Sequence, residues 1–99
     1  MVSCGKKSVV FTPDERKTVD SIVRSVRTPD SLALLQKQLE SKGDRLGSVV
    51  ALREWGKALR NDSRFEEALR THSEGLRQAE SIGDTLEWVQ ALNNIGTDY

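Results

Sequence analysis

Few residues in this chain have side chains that could do chemistry on their own. It holds one cysteine, Cys4, and one histidine, His72, in 99 residues. A single cysteine leaves no internal disulfide and no zinc cluster, and a lone histidine offers little to a metal. Acid–base or nucleophilic work at His72 would need a partner nucleophile or an oriented carboxylate, and no motif supplies one. His72 instead shares one side of a helical segment with Phe65, Ala68, Leu69, Gly75, Leu76 and Ala79, which assigns it to packing. We expect no catalysis, no cofactor and no metal; a small enzyme using His72 is the alternative.

Two polar rows say more. Val50, Arg53, Lys57 and Arg60 follow one another at steps of 3, 4 and 3, and Gln90, Asn93, Asn94 and Thr97 occupy the corresponding region 40 residues later. Arginine grips carboxylates with a two-pronged fork, and asparagine pairs with peptide groups. Together the rows suit a peptide carboxylate or backbone; the alternative is a solvated polar face. Trp55 and Trp88 are assigned to packing rather than to ligand stacking.

The segment Val2-Ser3-Cys4-Gly5-Lys6-Lys7 resembles the cleavage end of a bacterial lipoprotein signal, whose processed cysteine carries lipid. Only Met1 and Val2 stand where the apolar stretch should precede it. The resemblance implies lipidation at Cys4, a lipid tether as the only route to a membrane, and the cell envelope in preference to the cytoplasm. The alternative is a free surface thiol.

Fifteen basic and fifteen acidic residues cancel, so the basic footprint of a nucleic-acid binder is missing. Mean hydropathy is −0.52, and no apolar run nears the roughly 20 residues of a membrane helix. A single surface-rich helical domain over 12–99 follows, behind a flexible leader at 1–11.

The elements are marked by their ends. Thr12-Pro13-Asp14-Glu15 is a capping box with proline at the first helical position; Val19, Ile22, Val23 and Val26 form the stripe behind it, with a turn at 27–28. Thr28-Pro29-Asp30 starts a second helix, with Leu32, Leu35 and Leu39, ending at Gly43. Asp44 caps a third, from about Arg45 to Arg60. Ser63 and Glu66 read as another capping box, opening a fourth helix that ends at Gly83. Asp84 caps a fifth, whose stripe is Trp88, Ala91, Leu92, Ile95 and Tyr99.

Glu40–Gly56 and Glu80–Gly96 are identical at nine of seventeen positions. A period of 40 signals stacked helical hairpins. Leu52-x2-Trp55-Gly56-x2-Leu59, then Phe65-x2-Ala68-x3-His72, then Leu92-x2-Ile95-Gly96-x2-Tyr99, resemble the tetratricopeptide repeat family in its long-period form, as in bacterial sensor and regulator proteins. The usual period is 34, and the closing proline is absent. The resemblance implies an all-α fold of antiparallel hairpins stacked as a short right-handed superhelix. It also implies a partner-binding groove lined by the first helix of each hairpin, hence by the two polar rows, and a place in the N-terminal part of a longer regulatory protein. A fifth helix without its hairpin mate predicts self-association through Trp88, Ile95 and Tyr99. An oligomerisation module without a groove ligand is the other non-catalytic alternative. The first helix is either a cap or a degenerate repeat.

Overall fold

The structure, a computed structural model, describes residues 11–99. Cys4 and its lipidation motif lie outside them. The fold is all-α, with five helices and no strand among the described residues: α1 (Pro13–Arg24), α2 (Pro29–Ser41), α3 (Arg45–Asn61), α4 (Phe65–Ile82) and α5 (Thr85–Asp98).

Local chemistry sets most of the helix starts. Thr12 Oγ1 accepts the Glu15 N–H at 3.1 Å, and the Glu15 carboxylate accepts the Thr12 N–H at 2.7 Å, a closed capping box. Thr28, Asp44 and Asp84 cap α2, α3 and α5 through the N–H groups of Ser31, Gly47 and Glu87. The stops of α2, α3 and α4 share one geometry. Gly43, Ser63 and Gly83 have positive φ, and the residue after each donates back to Leu39, Leu59 and Ala79 respectively. That is the Schellman ending, written three times at 20-residue intervals.

Two sequence expectations need correction here. α1 ends at Arg24, with Ser25 as its C-cap and Ser25 Oγ donating to the Ile22 carbonyl at 2.6 Å, so the helix stops two residues short of Val26, the last of its valine stripe. Ser63 does not cap α4. Its left-handed backbone terminates α3; Arg64 takes the N-cap position without a side-chain cap and forks onto Glu67, with both bonds at 2.8 Å.

α3 is the central helix. It packs against α2 and α4, its chain neighbours, and against α1 and α5 on another side. The molecule measures 46 × 26 × 23 Å; a 17-residue helix is about 26 Å long, so the long axis is too long for a single helix and runs across a row of them. This is a repeat-like stack of hairpins. One core cluster joins Val23, Leu32, Leu46, Val50 and Ala51; a second joins Val49, Ala79 and Ile82. Phe11, the last residue assigned to the leader, packs on both and so belongs to the helical domain. Burying each large aliphatic side chain contributes about 1.5–3 kcal/mol.

α3 and α4 approach closely where Gly56 meets His72: a Cβ on Gly56 would lie 2.3 Å from His72 Nε2. A buried polar chain ties three helices. Gln36 Nε2 donates to Ser48 Oγ at 2.9 Å, and Ser48 Oγ donates to Gln78 Oε1 at 2.8 Å.

α5 keeps only part of its expected stripe inward. Its buried residues are Glu87, Ala91 and Asp98, preceded by the buried cap Asp84. Trp88 and Ile95 are half-buried, while Leu86, Val89, Leu92 and Tyr99 are exposed. The helix turns acids inward because α1, α3 and α4 meet it with arginines and a histidine.

Candidate functional site

α1, α3 and α5 share one face of the stack, and each brings charge to it. From α1 come Arg16, Asp20 and Arg24, at helical steps of four. From α3 come Arg53 and Lys57, and from α5 Glu87 and Gln90. With Val50 and Leu86 they enclose a cavity of about 150 Å³.

Its floor is an ion cluster. Arg53 reaches Glu87 Oε2 at 2.7 Å, Asp20 Oδ1 at 2.8 Å and Glu54 Oε2 at 3.2 Å. Arg16 pairs with Asp84 and lies 3.5 Å from Glu87 Oε2. Only one oxygen of Glu87 is thus used. Its Oε1 is buried without a hydrogen-bond partner among the described residues, in a side chain only 3 % exposed. Burial pushes the Glu87 carboxyl above its ordinary range, while the attraction of Arg53 and Arg16 opposes that rise.

The rim is more basic. Lys57 Nζ lies 3.4 Å from Glu54, and neither Arg24 nor Arg27 is ion-paired among the described residues. Arg24 and Lys57 also border a larger cavity, about 690 Å³, between the α1–α2 turn and the C-terminal half of α3. Arg27 and Asn61 line that space too.

The basic row predicted on α3 is therefore divided. Val50 belongs to the apolar core at 2 % exposure and only backs the cavity. Arg53 is held by three carboxylates. Lys57 stands at the rim. Arg60 is drawn elsewhere, to Asp98 Oδ1 at 3.0 Å. Of the amide row, Gln90 borders the cavity; Asn93 and Thr97 are exposed beside it, with Thr97 Oγ1 donating to the Asn93 carbonyl at 2.9 Å, and Asn94 is half-buried.

His72 is 1 % exposed. Nδ1 lies 2.5 Å from Asp98 Oδ2, and Nε2–H donates to the Arg53 carbonyl across 3.2 Å. An acid at a helix C-terminus opposes the helix dipole; Arg60 and His72 offset that cost and pin the last turn of α5 to α3 and α4.

Sequence reasoning missed the contributions of α1 and Glu87. Arg16, Asp20 and Arg24 do lie on one face by spacing alone, but nothing local says which helix they meet. Among the described residues, no three His, Cys, Asp or Glu side chains form a metal site, and no helix is long and apolar enough to cross a membrane. No protein-family model, no curated protein and no solved structure matches the chain.

Proposed function

We propose that this chain is a non-catalytic protein- or peptide-binding scaffold of tetratricopeptide-like hairpins, with the α1–α3–α5 face as its groove. The observation that carries this is the cavity between α1, α3 and α5, lined by the half-paired carboxylate of Glu87 and rimmed by Arg24 and Lys57. A buried unpaired acceptor costs about 1–3 kcal/mol, which a ligand's N–H would recover once the Glu87 side chain turns its buried Oε1 toward the cavity. Arg24 and Lys57 at the rim suit a carboxylate. A peptide segment brings both groups, the N–H from its backbone and the carboxylate from an acidic side chain or its end. The resemblance to long-period tetratricopeptide proteins extends the proposal to a bacterial regulatory or sensor setting.

The test is selection of a displayed acidic peptide library on the native chain, then titration of the selected peptide into Arg24→Glu/Lys57→Glu. Both positions are at the rim, so the thermal melt should stay within a few degrees. Affinity should fall at least ten-fold. Failure to select any peptide, or equal affinity for the variant, would sink the groove assignment.

A further inference from the structure

A second surface stands apart from the groove. Offset by 40 residues, Val49, Leu52, Gly56 and Leu59 of α3 correspond to Val89, Leu92, Gly96 and Tyr99. On α3 these positions form much of the contact with α4. Val49 packs on Ala79 and Ile82, a Cβ on Gly75 would sit 3.6 Å from Leu52 Cβ, and His72 fills the space above Gly56. Val49, Leu52 and Leu59 are all at most 2 % exposed. On α5 the same face is open: Val89 is 43 %, Leu92 42 % and Tyr99 90 % exposed, and a Cβ on Gly96 would meet nothing within 4 Å among the described residues. None of the exposed side chains of α5 carries a charge, since its charged residues, Glu87 and Asp98, are buried. In a chain with 30 % charged residues, a charge-free apolar face has the composition of an interface centre rather than of a solvated one.

We infer that Val89, Leu92, Gly96 and Tyr99 form a docking surface for one amphipathic helix whose contact face has the chemistry of α4. The surface continues the α3–α4 interface by one repeat, so that interface states what the occupant needs. It needs small residues where Gly75 and Ala79 lie on α4, and a larger planar side chain, as at His72, to fill the notch over Gly96. The knob over Gly96 gives the contact its register, because the flanking residues are large on both sides.

The probe is a synthetic peptide of residues 64–83, the α4 segment with its cap positions and blocked ends. It is titrated into the whole chain by calorimetry, with chemical shifts followed at 89, 92 and 96. One-to-one saturation is expected, with the largest shifts at those positions. Gly96→Leu should weaken binding at least ten-fold while leaving the melt of the chain unchanged or higher, since nothing occupies that space. Should Gly96→Leu fail to fold, Tyr99→Lys tests the same face. Arg24→Glu/Lys57→Glu should bind the peptide as tightly as the native chain, which separates this surface from the groove. Absence of saturation would overturn the inference. So would equal affinity for Gly96→Leu, since the peptide would then be replacing the native α4. A chain dimer in sedimentation equilibrium, dissociated by Gly96→Leu and indifferent to the peptide, would assign the face to a second copy and overturn it as well.

Discussion

Ser63 holds a left-handed backbone, φ 62, where the two equivalent stops use Gly43 and Gly83. An L-residue pays about 1–2 kcal/mol for that conformation, and among the described residues the Ser63 side chain makes no hydrogen bond in return. Ser63→Gly should therefore raise stability by about 0.5–1 kcal/mol, less than the full strain because glycine also loosens the unfolded chain. Urea melts would show this as a higher midpoint at unchanged slope. The position also shows how sequence patterns mislead. Ser63-x-x-Glu66 satisfies the capping-box template, but the template contains no statement about φ. The 20-residue spacing from Gly43 and Gly83 was the better guide, and it points to a stop.

At the scale of elements, α5 is the exception. Its inward side is acidic, and Glu87 carries the consequence for pH. Burial raises its folded-state pKa above the unfolded one, so its contribution to stability is full below the ordinary carboxylate range and is lost as pH rises through the folded value. Against Glu87→Gln, which cannot titrate, the native chain should gain relative stability on acidification from pH 7. Denaturation of both proteins at four or five pH values checks this, and a constant difference would show that Glu87 is not strained by burial. Glu67 and Glu74, held below the ordinary range by hydrogen bonds from Arg64 and Arg77, work in the opposite direction, but they are common to both proteins and cancel. The α2, α3 and α5 starts were legible because a cap is decided within three residues. The inward face of α5 was not legible in that way. Periodicity ranks faces by hydropathy, and here Arg16, Arg53, Arg60 and His72, scattered over three helices, outbid the leucines for that side.

Across the whole molecule, the repeat-like stack was readable from the 40-residue identity, whereas the centrality of α3 emerged only from the packing. The proposed groove was readable only in part. Arg53, Lys57 and Gln90 could be placed on it by spacing, whereas Arg16, Asp20 and Glu87 needed the third dimension. Most side-chain links in the fold close loops of 38 residues or fewer, such as Arg60 to Asp98 and Gln78 to Glu40. Arg16 is different: it reaches Asp84 and Glu87 across 68 and 71 residues. Loop closure grows costlier with length, and contacts of short separation form sooner. That sets an order in time. The hairpins α2–α3 and α3–α4 can assemble as soon as their own residues exist, and the α1–α5 clasp comes after them. Arg16→Gln should then speed unfolding while leaving the folding rate almost unchanged, in stopped-flow kinetics. During synthesis, Arg16 waits for the 68 residues up to Asp84 to be made, so the cavity they complete closes only after the α2–α3 and α3–α4 hairpins it spans.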